Sequence, residues 1–184
     1  MIKKGLILFF SVFLVFVFCP NIYAADSREE ARKEYLRIYE NYLRSPKEGD
    51  YNKIVKELAI DKYEDFIKKY PESDLVDEAE LRIAEFYSVI GQTWKAKKWL
   101  DDIIKNHPQG YHDSIKVNFA CDGRSYSSFE LLPLREKTAA WALYYRGAWF
   151  SKNRREDLNR VVKEYKDSEK PIRLSEYILR KIKK

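Results

Sequence analysis

From residue 27 onward the apolar positions recur every three or four residues and not every second one, which is the spacing of one face of an α-helix. The stretch SREEARKEYLRIYENYLRS, residues 27–45, predicts a first helix, with Ser27 placed to cap it, Glu30 three residues on, and Pro46 and Gly49 ending it. A second is predicted over 52–70, where Val55, Leu58, Ala59, Tyr63, Phe66, Ile67 and Tyr70 form one stripe. Pro71 stops it, because proline lacks the donor that a continuing helix needs and disfavours helical geometry in the residue before it. The pattern restarts at once. Asp74 is placed to accept from the free amides of a third helix and Asp77 adds charge at its positive end, with Val76, Ala79, Ile83, Phe86, Tyr87 and Ile90 inward. Gly91 supplies a turn through positive φ. A fourth helix is predicted over 93–106, with Ala96, Trp99, Leu100, Ile103 and Ile104 inward, and it stops before Pro108. Gaps this short predict antiparallel packing of neighbours.

The two prolines mark a recurrence. Ala59, Tyr63, Phe66, Tyr70 and Pro71 lie 37 residues before Ala96, Leu100, Ile103, His107 and Pro108. A weaker copy places Trp141, Ala142, Tyr145, Leu158, Val161 and Tyr165 58 residues beyond Ile83, Ala84, Tyr87, Leu100, Ile103 and His107, so an insertion of 21 residues separates the copies. Two helices per unit at such a period predict an all-α chain built as an α-solenoid of helical hairpins. Ile83, Ala84, Tyr87, Gly91, Ala96, Leu100, Ile103 and Pro108 resemble the tetratricopeptide repeat family. The departures are Glu80 where the family often has Trp, Thr93 near a usual aromatic, and Ile103 in place of a small residue. In the weaker copy Arg154 falls where a small alanine would pack, and Lys166 where proline would stand. YEDFIKKYPESDLVDEAELRIAEFY is similar to repeats of bacterial envelope proteins. The helices at 27–45 and 170–184 are then expected as polar caps, the last with Leu174, Tyr177, Ile178 and Ile182 laid on the stack.

The opening MIKKGLILFFSVFLVFVFCPNIYAAD reads differently: two lysines, an apolar run and a small-residue exit predict a signal peptide, residues 1–24, cleaved after Ala24 or, failing that, Ala25. The run is shorter than the roughly 20 residues of a bilayer span, so an uncleaved anchor is the weaker reading. Phe18 before Cys19 argues against lipid attachment. Residues 25–184 then form a single domain carrying the insertion 109–133. The formal charge of +6 is spread over segments that mix both signs, such as REEARKEY, which reads as solvated helix faces and not as a nucleic-acid stripe. Cys121, the one cysteine after the leader, has no internal disulfide partner. The basic carboxyl end offers contact with anionic lipid, although lysines there equally complement the helix dipole.

Little in the chain carries catalytic chemistry. The insertion QGYHDSIKVNFACDGRSYSSFELLP predicts a loop with a short hairpin about its central Asp-Gly. His107, His112, Asp113 and Cys121 fall close in sequence and open an alternative reading, a small metal-binding protein or enzyme built around 107–121, but their spacing matches no tight-paired zinc motif. No cofactor or metal site is expected. Trp141, Tyr145 and Trp149, at i, i+4 and i+8, read first as a core stripe. The resemblance implies that the first helix of each hairpin lines a concave surface, with Leu81, Glu85 and Ser88 outward in one unit and Ala139, Leu143 and Arg146 in the next, Arg146 being available to a carboxylate. The expectation is therefore a non-catalytic exported scaffold that binds a protein or peptide of the bacterial envelope. A third reading is self-assembly through an uncovered end of the stack.

Overall fold

The computed structural model describes residues 27–42, 50–119 and 126–182. The leader with Cys19 and its expected cleavage positions, the helix end at Pro46 and Gly49, Cys121 and the Asp122–Gly123 turn lie outside the described residues, as do the side chains of His112 and Asp113. Helices make the body: α1 over 27–42, α2 (Asp50–Lys69), α3 (Val76–Val89), α4 (Thr93–Asn106), α5 (Thr138–Trp149), α6 (Arg154–Glu164) and α7 (Glu169–Ile182). The class is all-α with one departure. Between α4 and α5 the insertion folds as an antiparallel hairpin, β1 (Tyr111–Phe119) with β2 (Tyr126–Lys137).

This hairpin is longer than the loop expected at 109–133, since β2 runs to Lys137. The ladder is regular from Ser114↔Leu132 to Asn118↔Ser128 and breaks between His112 and Ser114, where β2 passes from Glu136 to Leu132. Pro133 falls in that break, the position in a ladder where a residue without an N–H does least harm.

Each helix from α2 to α7 packs on the next, and three apolar clusters follow one another along the chain. The first joins Ala31, Tyr35 and Ile38 of α1 to Tyr63 and Phe66 of α2 and Ala79 and Ile83 of α3. Its rings interlock at 5.3–5.7 Å between centroids, from Tyr63 through Tyr35 and Phe66 to Tyr70. The second joins Leu81 and Ala84 of α3 to Leu100 and Ile103 of α4 and Trp141 and Ala142 of α5, and the third joins Ala139, Ala140 and Leu143 of α5 to Val161 and Tyr165. Buried side chains of this size each contribute about 1.5–3 kcal/mol. Thus α3 and α5 are each buried on two sides, one facing the helices before and one the helices after.

The positions 37 residues apart share their environments: Ala59 and Ala96 are fully buried, Tyr63 with Leu100 and Phe66 with Ile103 are core, and Pro71 and Pro108 are exposed. Gly91 takes φ +79°, and Gln92 N–H reaches back to the Tyr87 carbonyl, as an αL helix end requires. Two local expectations are corrected. Asp74 does not cap α3, for its carboxylate is drawn to Arg32 and Arg28 of α1 at 3.2 and 3.4 Å, and Ser73 Oγ accepts the Leu75 amide instead. Leu58 is not in the α2 core stripe but 47% exposed, on the far side of the helix from Tyr63.

In the third unit the small residue has moved. Arg154, standing where Ala96 stands earlier, donates across from α6 to the Gly147 carbonyl of α5 at 3.0 Å, while Gly147 itself lets α5 and α6 meet.

Candidate functional site: a strip across α1, α3 and α5

The side of α3 that neither cluster claims carries Glu78, Arg82, Glu85 and Val89, at i, i+4, i+7 and i+11. Arg82 organises it. Its guanidinium donates to Glu78 Oε1 and to Glu85 Oε2, each at 2.8 Å, and lies 5.8 Å from the ring centroid of Tyr39 on α1. The Tyr35 hydroxyl donates to the same Glu78 oxygen at 3.2 Å, so a fully buried carboxylate on α3 is held from α1 and from its own helix. Burial works against the charge on Arg82, but Glu85 and Glu78 outweigh it and hold its pKa well above the usual value. Burial, with Glu78 adding to it, pushes the Tyr35 hydroxyl up.

On the other flank stands Tyr145 of α5, whose hydroxyl is pushed up by burial and then by the neighbouring Glu85 carboxylate. Tyr145 stacks on Trp149 at 4.5 Å between centroids and 14° between planes, and lies 5.6 Å from Trp141. Tyr39, Arg82, Glu85, Tyr145 and Trp149 are all half-buried, with Arg82 and Glu85 side chains 21% and 22% exposed. The result is a fixed alternation of ring, guanidinium, carboxylate and stacked rings from one first helix to the next, with the exposed Val89 at its edge.

Of the six residues expected outward, Glu85 lies in this strip. Leu81, Ala139 and Leu143 are instead fully buried, because they occupy the face by which each unit meets its successor. Ser88 is half-buried beside that face. Arg146 is no free cation: it forks onto Asp157 at 2.8 and 2.5 Å and onto Asp101 at 2.6 Å, tying α5 to α6 and α4. On α3 the expected face and the observed one share Glu85 and differ by less than one residue's turn of about 100°, and the spacing of Glu78, Arg82, Glu85 and Val89 was the signal for the correct face. Trp141, Tyr145 and Trp149, read as a core stripe, divide between a buried Trp141 and two half-buried rings.

His107 closes α4 and faces Glu80 at 3.3 Å. Among the described residues no group of three or more His, Cys, Asp and Glu could hold a metal ion, and no helix is long and apolar enough to cross a membrane. A depression of about 700 Å³ between α1 and the turn at Tyr70–Ser73 is walled by Arg28, Arg32 and Lys69, but both arginines already answer Asp74. No family model, no curated protein and no solved structure matches the chain.

Proposed function

We propose that the chain is a non-catalytic tetratricopeptide-like scaffold that holds an extended polypeptide of the bacterial envelope along the strip from Tyr39 to Trp149. The observation that carries this reading is the strip itself: half-buried rings and a paired Arg82–Glu85 run across three successive first helices with little freedom to move. Ordered side chains lose little entropy on contact, and an alternation of apolar and charged groups suits the side chains and amides of an extended segment. The 37-residue recurrence and the serial clusters support the stacked-hairpin architecture, and the lysine-flanked apolar leader supports export.

The test is photocross-linking in an exporting bacterium, with the reactive residue at Ser88 or Val89 beside the strip and, as control, at the exposed Lys98 of α4. Covalent adducts to one envelope polypeptide from the first two positions, lost with Trp149→Ala, are expected. Equal yields from Lys98, or adducts unaffected by Trp149→Ala, would refute the assignment.

A further inference from the structure

The end of the stack away from the β-hairpin gathers two kinds of side chain that the proposed strip leaves unexplained. The start of α2, the end of α3, the start of α4, the end of α5, the start of α6 and the end of α7 all lie there. Contacts fix this order: Lys56 of α2 stands over the Phe86 ring of α3 at 5.0 Å, Lys95 of α4 over Tyr87 of α3 at 4.9 Å, and Arg146 of α5 reaches both Asp101 of α4 and Asp157 of α6. Ile182 of α7 shares a shallow depression with the turn into α6. Of the six large apolar side chains exposed among the described residues, four belong to this end: Ile54 with Leu58 one turn behind it, Val89, and Trp94, which is 68% exposed. Charge is placed likewise. Residues 1–150 carry twenty-three basic and twenty-three acidic side chains, whereas 151–184 carry twelve and six, so the whole formal excess of +6 falls in the stretch of α6 and α7. At the apolar end that stretch exposes Lys152 and Arg155 at the start of α6 and Arg180 and Lys181 in the last turn of α7. By contrast, the turn at 71–75, at the other end, carries Glu72 and Asp74 and no base.

We propose that this end of the stack rests on an anionic phospholipid surface, with Trp94 and Ile54 entering the headgroup layer and Lys152, Arg155, Arg180 and Lys181 receiving lipid phosphates. Apolar side chains that cost free energy in water and stand with cations on one side of a molecule fit a membrane surface. A polypeptide partner would need a continuous groove or stripe, and here the apolar groups sit singly on the ends of different helices. A bilayer asks only that they share one side. The indole of Trp94 suits the interface itself, where its ring is buried and its N–H stays wet. Lys95, with its ammonium 5.7 Å from the Trp94 ring centroid, can follow the indole with its stem and keep its charge at the phosphates. The depression beside Ile182 is walled by Lys152, Arg154 and Arg155, so a phosphate there meets cations while its acyl neighbour meets an apolar side chain. Each cation near anionic headgroups adds to the attraction, and twelve bases against six acids in one stretch is the charge complement of such a surface. This contact does not depend on the scaffold reading.

Co-sedimentation tests it, using the chain recovered from an exporting bacterium with vesicles of mixed phosphatidylglycerol and phosphatidylcholine, with vesicles of phosphatidylcholine alone, and without lipid. Pelleting should require phosphatidylglycerol and weaken as salt rises from about 0.1 M to about 0.5 M. Lys152→Gln and Arg155→Gln should each weaken binding about fivefold. Trp94→Ala and, separately, Ile54→Ser should weaken it at every salt concentration, while Tyr111→Ser, exposed at the hairpin root, should bind as wild type does. All five positions are exposed, and circular dichroism on the same samples confirms equal folded content. Equal pelleting with neutral vesicles, binding untouched by Trp94→Ala and Ile54→Ser, or an equal loss in Tyr111→Ser would each overturn the proposal. So would pelleting without lipid that Trp94→Ala abolishes, which would assign the end to a second copy of the chain. Displacement from vesicles by soluble polyglutamate, equal for wild type and Trp94→Ala, would assign it to an acidic polypeptide instead.

Discussion

Glu136 and Lys170 meet across 34 residues of chain: the Glu136 carboxylate accepts the Lys170 backbone N–H at 2.8 Å, and its other oxygen takes the Trp141 indole N–H at 3.0 Å. The last strand residues thus cap a helix that begins far downstream. The first amides of α7 have no partner within their own helix, and a carboxylate there also suits the positive end of the helix dipole. Glu136→Ala should lower stability by about 1–3 kcal/mol, with amide protection lost first in the opening turn of α7. Glu136→Gln, which retains one acceptor oxygen, should lose less. Urea unfolding followed by circular dichroism, with exchange mapping, checks both.

Truncating Arg146 should cause one of the large single losses. Its removal strands Asp157, which is 1% exposed, and breaks the link to Asp101. Arg146→Ala should cost about 3–5 kcal/mol, as buried charges left alone do. Arg146→Lys should recover only part, because one ammonium cannot fork across two carboxylates. The pH dependence follows from Asp101. Burial raises its pKa, but hydrogen bonds from Lys97 and Arg146 prevail and hold it below the usual carboxylate range. A group depressed in the folded state stabilises above its unfolded pKa, and that contribution disappears as pH falls through the folded one. Acid unfolding monitored by far-ultraviolet circular dichroism should therefore show less acid sensitivity in Arg146→Ala than in wild type.

Helix positions were legible in the sequence because each apolar stripe satisfied a period that strands cannot share, and because Pro71, Pro108 and Gly91 interrupt it for local steric reasons. Which side of α3 faces solvent was not. A helix buried on two opposite sides leaves only a narrow free arc, and a single stripe of Ile83, Ala84 and Tyr87 does not say where the second burial falls. Leu81 was misplaced for that reason. Arg146 was misplaced for another: a charged residue next to a core stripe looks exposed until Asp157 and Asp101 arrive from elsewhere in the chain. The caps failed likewise at Asp74, since the arginines of α1 that draw its carboxylate away are more than forty residues distant. The hairpin alternation was visible, but the fastening of its root, with the Glu136 carboxylate accepting the Lys170 amide and Ser168 Oγ accepting the Lys137 amide at 2.8 Å, is long-range and leaves no local trace.

Two glycines should resist substitution for opposite reasons. Gly147 has no room: an added Cβ would meet Leu158 Cγ at 2.9 Å and Cδ2 at 3.0 Å where α5 crosses α6. Gly147→Ala should cost about 1–3 kcal/mol by overpacking, and Leu158→Ala should relieve part of that cost in the double variant. Gly91 has open space around it, with nothing within 4 Å of where a Cβ would sit, but its φ is +79°. Gly91→Ala should cost about 1 kcal/mol through backbone strain alone, with no rescue from the Leu158 change. Thermal unfolding of the single and double variants separates the two causes.

Arg82 and Glu85 form one ion pair yet should behave differently when cut. Removing Arg82 takes from the fully buried Glu78 carboxylate the guanidinium that donates to it at 2.8 Å. Arg82→Ala should therefore destabilise by about 3–5 kcal/mol and lower partner capture only as a result of that. Glu85→Gln leaves Arg82 paired with Glu78 and removes one partly exposed charge, so stability should change by less than about 1 kcal/mol. If the strip receives a polypeptide, Glu85→Gln and Trp149→Ala should reduce cross-linking at wild-type folded content, measured by circular dichroism on the same samples. Capture that tracks folded content across all three variants would place the partner's contact elsewhere on the molecule.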